Sequence, residues 1–166
     1  ILSAPMLGLR TGQVPATAAR LLAAGLTRAG LGAGLAAREE PTPEPFASNV
    51  LTHDEARYRR NVEQVAAWPQ LQVGAPTWGW LDFAFAATGR LARGPGTAAI
   101  AIPLTVAAAG EERLVDNAAA EQVAARVPGA HFVTIAGAYH ELLQETDAVQ
   151  AQFWAEFDAL ATRARV

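Results

Sequence analysis

The 166-residue sequence has no cysteine, a single methionine and only three histidines. Without thiols there is neither a disulfide framework nor a thiolate metal site. His53, His131 and His140 are too few and too scattered for an obvious imidazole cluster, so no metal and no cofactor are expected. Basic residues do not outnumber acidic ones: 13 stand against 16, for a net charge of −3 and a pI of about 5.6. That balance lacks the cationic footprint of a nucleic-acid binder, and no nucleic-acid partner is expected. No uninterrupted apolar run reaches the roughly 18 residues of a membrane span, and no secretory signal pattern opens the chain. The expected location is cytoplasmic. Also missing is G-x-S-x-G, the strained turn that lifts a nucleophilic serine above a sheet. Ser3 lacks the flanking glycines of such a turn and reads as a small core hydroxyl bonded to backbone.

What is present suffices for one compact domain with a real core. Hydrophobic residues make up 51% of the chain, much of it alanine. The abundance of alanine, glycine and arginine over lysine speaks of a GC-rich genome, which concerns codons and not chemistry. The chain opens at Ile1 inside an apolar, strand-like run without an initiator methionine, and is therefore expected to be part of a longer polypeptide.

The most informative stretch is 100–143. Residues 100–109 form a near-continuous apolar run closed by Gly110, the pattern of a parallel strand covered on both faces. Glu111, Glu112 and Arg113 make the polar turn at its carboxyl end. Residues 117–127 have helical spacing, with Ala118, Val123 and Val127 on or near one face, and Pro128-Gly129 stops that helix. Residues 130–135 form a second strand, which Gly137-Ala138-Tyr139-His140-Glu141 leaves as a loop. A strand–helix–strand unit of this kind places both loops at the same edge of one parallel sheet, and that edge is where open α/β sheets build their sites. An acid, Glu112, and an imidazole, His140, thus leave neighbouring strand ends. A carboxylate that holds Nδ1–H of a histidine, whose other nitrogen takes a proton from a hydroxyl, forms two thirds of a nucleophilic triad. Asp116 is the reserve acid, although its place just ahead of residue 117 also suits a helix cap. His131 begins a strand and reads as structural.

The segments PLTVAAAGEERLVDNAAA and TIAGAYHELLQE resemble the carboxyl-terminal part of the lysophospholipase and monoacylglycerol lipase branch of the α/β-hydrolases. The opening ILSAPMLGL is similar to the strand that follows the nucleophile elbow in that family. NVLTHDEARYRRN and GAPTWGWL resemble its cap region. The likeness covers nearly the whole chain. It is specific at AGEERLVDN and GAYHELL, moderate at LTHDEARY and PTWGWL, and weak across 11–45. It implies an α/β fold: the carboxyl-terminal part of an α/β-hydrolase sheet domain, residues 1–8 and 97–166, with a helical cap or lid, residues 9–96, inserted in it. In that family the chain order is nucleophile, acid, histidine, so the serine and the oxyanion hole would precede Ile1. One departure is that the family usually carries aspartate where Glu112 stands.

Between the two sheet segments, residues 14–28 read as an amphipathic helix with Leu21, Leu22 and Leu26 on its apolar side. Residues 29–37 are glycine-broken and apolar, and residues 38–45 form an extended, proline-punctuated connection. A helix is expected over 49–68, capped by Ser48 or Thr52, with His53 bonded near its start to backbone or to Asp54. A second helix, 77–93, carries Trp78, Trp80, Leu81, Phe83 and Phe85. Such aromatic density packs the cap onto the sheet domain or lines an acyl-chain pocket, and Trp78 and Trp80 are the candidate substrate contacts. After His140, a closing helix over 141–163 is expected to bury Leu142, Val149, Phe153, Phe157 and Leu160 and to turn Glu145, Asp147 and Glu156 to water. Glu141 either orients His140 or caps this helix at the surface.

The resemblance thus implies a serine ester hydrolase acting on single-chain lipids, inactive as residues 1–166 alone, with a lipid or ester substrate and transient membrane-surface contact; the unpaired strand edge near Ile1–Leu7 also leaves room for a partner chain completing the sheet. The alternative expectation is a non-catalytic, hydrolase-like accessory subunit or a partner-bound fragment. Haloalkane or epoxide chemistry on the same fold stands third, since its carboxylate nucleophile would also lie upstream and fold alone does not settle chemistry.

Overall fold

In the computed structural model, residues 1–37 and 45–164 are described. The connection expected at 38–45 lies outside them except for Pro45.

The fold is built on a three-stranded parallel sheet in the order β1-β2-β3. Its central strand, β2 (Thr105–Ala109), is buried at every position. It pairs with β1 (Leu2–Ser3) through Leu2↔Val106 and Ser3↔Ala107, and with β3 (His131–Ile135) from Thr105↔His131 to Ala109↔Ile135. Strand alternation divides the core into two sides. Ala107 and Ala109 join Ala4, Ile135, Ala138, Leu142 and Phe153 on one face. Val106 packs with Ala120 and Ala124 on the other, where Leu7, Leu104 and Phe132 add partly buried surface. Helix α4 (Asn117–Ala124) covers the second face, and α5 (Asp147–Ala164) brings Phe153 to the first. Covering on both sides is what lets β2 be buried throughout. Together these elements form an α/β unit built on a parallel sheet.

The strands are shorter than the apolar runs suggested. β2 starts at Thr105 and not at residue 100, because Pro103 has no N–H to give a ladder and Ile102 lies in solvent. β1 stops at Ser3, where Ala4 takes a left-handed φ of 38° and Pro5 follows. Since β1 pairs on one side only among the described residues, Ser3 is exposed and not the core hydroxyl expected. In α4 the buried positions are Ala120, Val123 and Ala124, so Ala120 takes the place expected of Ala118.

Among the described residues, three α-helices lie between β1 and β2 in chain order: α1 (Ala16–Leu26), α2 (Glu55–Ala67) and α3 (Trp78–Arg93). A π-helical turn, Thr27–Leu31, prolongs α1, and α1 packs on α3. The buried residue of α1 is Ala23, while Leu21 is 73% exposed, so the expected leucine face is not the packed one. α3 is capped by Thr77, whose hydroxyl accepts from the Trp80 N–H. Helix α2 begins at Glu55 under Asp54, which accepts from Arg57 N–H, and neither Ser48 nor Thr52 caps it. Asn49 diverts the preceding chain: its Oδ1 accepts the N–H groups of Leu51 and Thr52, a side-chain turn that competes with helix.

Helix α5 likewise starts later than expected. A 3-10 turn, Leu142–Gln144, precedes it, and this moves Glu145 off the helix altogether. Phe157, expected inside, is exposed.

Candidate active site

Gly110 to Arg113 leave the carboxyl end of β2, and residues 136–141 leave that of β3. Two backbone bonds hold these loops together: Gly110 N–H to Ile135 O at 2.9 Å and Glu111 N–H to Ala138 O at 2.8 Å. There is little room between them, since a Cβ on Gly110 would stand 2.8 Å from the Ile135 carbonyl oxygen.

Glu112 curls back over its own turn. Its Oε1 accepts from the backbone N–H groups of Arg113, Leu114 and Val115 at 2.9, 2.7 and 3.3 Å. Its Oε2 faces Nδ1 of His140 at 2.8 Å. The Glu112 side chain is 2% exposed and that of His140 is 22% exposed. Burial alone would raise the Glu112 pKa. The Leu114 N–H, the hydrogen bond and charge of His140, and the Val115 N–H together outweigh it, and the carboxyl lies below its ordinary value. An ionised carboxylate only accepts, so Nδ1 carries the proton. Nε2 of the neutral ring then presents a lone pair, and among the described residues it has no hydrogen-bond partner. An imidazole fixed in this tautomer can take a proton at Nε2 and hold the resulting charge against Glu112.

Asp116, the reserve acid, caps α4: its Oδ1 accepts from Ala118 and Ala119 N–H at 2.9 and 3.2 Å. It sits beside residue 8, whose carbonyl accepts the Asp116 N–H at 3.2 Å. Arg10 donates to the Glu112 carbonyl, and an open cleft of about 590 Å³ is lined by Arg10, Gly12, Gly110, Glu111, Glu112 and Arg113. Trp78 and Trp80 occupy the first turn of α3 and do not line this cleft. Trp78 packs near Gly34, and Trp80 is 45% exposed.

The structure also holds a second glutamate–histidine pair that the sequence reading missed. Glu145, expected to face water, is fully buried with 0% exposure and meets Nδ1 of His53 at 2.8 Å. His53 is therefore bonded to Glu145 and not to Asp54. The signal was Thr146-Asp147, a helix-start pair that puts Glu145 ahead of α5 and not on its face. Glu141 engages Leu51 through its backbone and stays exposed. His131 pairs with Glu156 at 3.1 Å.

A parallel sheet with a buried acid bonded to a histidine at adjacent strand ends is the arrangement expected of an α/β-hydrolase. The family described as "Serine aminopeptidase, S33" matches residues 1–147, and the chain belongs to it. Over 114 residues it is 40% identical to lysophospholipase L2 of Escherichia coli K12, covering 64% of this chain and 33% of that protein. Over 82 residues it is 34% identical to the probable lysophospholipase L2 of Haemophilus influenzae, covering 49% of this chain and 26% of that one. The crystal structure of a soluble variant of monoglyceride lipase from Saccharomyces cerevisiae, in complex with a substrate analogue, shares the fold with a TM-score of 0.65 at 13% identity. That match covers 98% of this chain and 54% of the other. The match spans between about a quarter and a third of the length of these curated relatives.

Proposed function

We propose that residues 1–166 supply the acid and the base of a serine ester hydrolase that acts on single-chain lipids, of lysophospholipase or monoacylglycerol lipase type. The observation that carries this reading is the contact of 2.8 Å between Glu112 and His140, with the carboxylate anchored by three N–H groups of its own turn. The names of the relatives support the ester and lipid part. The nucleophilic serine and the oxyanion hole belong to sequence upstream of Ile1, as the family's chain order implies. His140 Nε2 takes the serine proton as the hydroxyl attacks the ester carbonyl, and Glu112 stabilises the imidazolium. His140 then protonates the departing alcohol, and finally activates the water that releases the fatty acid.

In the same reading residues 9–96 are a cap over the site and residues 1–8 and 97–166 belong to the core, because α1, α2 and α3 enter between two paired strands. The exposed Trp80 and Phe83 of α3 and the exposed Leu21 and Leu22 of α1 give this cap apolar surface for an acyl chain or a lipid surface. The remaining strands of the sheet come from the rest of the polypeptide or from a partner chain.

The test is steady-state hydrolysis of a lysophospholipid and of a monoacylglycerol by the full-length polypeptide containing residues 1–166. Turnover that His140→Ala lowers by about 10³-fold or more is expected, from triad losses in other serine hydrolases. Turnover that survives His140→Ala refutes the assignment. A full-length chain without turnover that binds a separate hydrolase subunit establishes the accessory reading instead.

A further inference from the structure

On the reading of His140 as the catalytic base, we propose that His53 is a positioning residue for it. His53 acts through Glu145 and Tyr139 from the segment inserted between β1 and β2.

Glu145 is a buried carboxylate with four donors. Oε1 accepts from Tyr139 N–H and His53 Nδ1, both at 2.8 Å. Oε2 accepts from His53 N–H at 3.1 Å and Thr146 N–H at 3.2 Å. The His53 ring also stacks on the Tyr139 ring, with centroids 3.8 Å apart and planes at 20°. Tyr139 immediately precedes His140, so the residue beside the base is held at its backbone by Glu145, which His53 bonds, and at its ring by His53 itself. On its other side, Nε2 of His53 points at Glu111 Oε2 at 3.7 Å, and Glu111 immediately precedes the acid, Glu112. One imidazole therefore stands between the two loops whose spacing sets the Glu112–His140 bond.

Its neighbours fix the chain after His140. Leu51 O accepts Glu141 N–H at 2.9 Å, and Thr52 Oγ1 donates to Gln144 O at 2.6 Å. Arg57 donates to the Glu145 carbonyl and to Asp147. The brace has a physical reason to exist. Residues 137–141 hold no strand or helix, so the direction of the His140 ring rests on what holds residues 139 and 141. A buried carboxylate shared by a backbone N–H and an imidazole N–H is a stiff attachment, because removing either donor leaves it under-satisfied. A charge pair between His53 and Glu111 at half-exposed positions adds little by itself. The inference rests on the bond from His53 Nδ1 to Glu145.

The experiment uses the full-length polypeptide with His53→Phe, which keeps a ring on Tyr139 and the backbone N–H on Glu145 but removes the Nδ1 donor, and His53→Asn, whose amide restores a donor near Nδ1. Displacement of a reacting group by a fraction of an ångström to one ångström costs up to about 10²-fold. His53→Phe is expected to lower kcat about 10- to 100-fold with KM within about twofold, and His53→Asn to remain within about threefold of wild type. Proton NMR supplies a readout that lower stability alone does not move: the downfield Nδ1–H signal of His140, assigned by its loss in His140→Gln, should broaden or vanish in His53→Phe at temperatures where the protein is folded. Wild-type kcat with the signal intact in His53→Phe overturns the inference, as does a tenfold or larger loss of kcat in His53→Asn. If His53→Phe fails to fold, the His53→Asn result decides alone. Activity that survives His140→Ala sinks the proposed function itself, whereas abolition by His140→Ala with no effect at residue 53 sinks only this inference.

Discussion

Replacing Glu112 by glutamine keeps the side chain's length and keeps Oε1 where the N–H groups of residues 113, 114 and 115 need it. It changes Oε2 into an amide NH₂ aimed at Nδ1 of His140. Two N–H groups cannot face each other at 2.8 Å, so the imidazole must move its proton to Nε2 and accept from the amide through Nδ1. The ring then has no lone pair for a serine hydroxyl. A triad locked in that tautomer loses about 10⁴ in kcat, equivalent to about 5 kcal/mol of transition-state stabilisation. Folding should suffer far less. All four bonds of the carboxylate lose their charge assistance, but the cost of burying the charge goes with it, which leaves a net difference of about 1–2 kcal/mol. The assay is steady-state hydrolysis by the full-length polypeptide near neutral pH, paired with urea unfolding of the same sample. A glutamine variant within tenfold of wild type in kcat refutes the role of Glu112, and a variant that loses activity only in proportion to its unfolded fraction refutes the tautomer argument.

The same substitution has a pH signature. Glu112 titrates below its ordinary value in the folded chain, so the unfolded state binds this proton more tightly. The ionised carboxylate therefore contributes stability above the unfolded glutamate value of about 4.3. That contribution drains away as pH falls through the lower, folded-state value. Wild type and Glu112→Gln should differ most near neutral pH and converge in acid. A gap that widens as pH drops below about 4 contradicts the direction assigned to Glu112.

Two further substitutions separate the site from its scaffold. Asp116→Ala removes the cap of α4 and should cost about 1 kcal/mol in urea unfolding while kcat stays within about threefold; a loss of 10³-fold would move the acid's role from Glu112 to Asp116. Gly110→Ala puts a methyl group 2.8 Å from Ile135 O and must spread the ends of β2 and β3. It should cost about 1–3 kcal/mol of stability and lower kcat about 10- to 100-fold, and unchanged kinetics would show that the strand ends tolerate the shift.

What the sequence discloses and what it hides divide along the range of the contacts. The buried strand β2, the cap at Asp116, the aromatic helix α3 and the acid–turn–histidine order are all set by residues close together in the chain, where periodicity and turn chemistry act. Glu145 is the counter-example. Read as one charge among several on a long closing helix, it belongs in water. Because α5 starts only at Asp147, Glu145 sits in the preceding turn, and its direction is fixed by His53, 92 positions away. The same holds for the 49–54 segment, where Asn49 bends the chain and Thr52 reaches across to Gln144. Leu21 and Leu22 mislead in the opposite sense: their spacing is helical, but Ala23 is the residue that meets the partner helix. Long-range contacts override local pattern at these places, and two of them, His53 and Glu145, lie beside the proposed catalytic pair.

The glutamate at position 112, where the family resemblance leads one to expect aspartate, has a geometric explanation. A longer acid on the same turn would overshoot Nδ1 if its chain ran straight out from the strand end. Here the extra methylene is taken up by folding the side chain back, so that one oxygen closes on three N–H groups of residues 113–115 while the other reaches the histidine. Those three donors do two things at once. They offset the cost of burying the charge, and they hold the carboxylate's plane so that Oε2 has a single direction to offer. The histidine loop has no such local anchor and depends on Glu145, His53 and Leu51. The acid is therefore held by its own turn, and the histidine loop by Glu145 just after it together with His53 and Leu51 from across the chain.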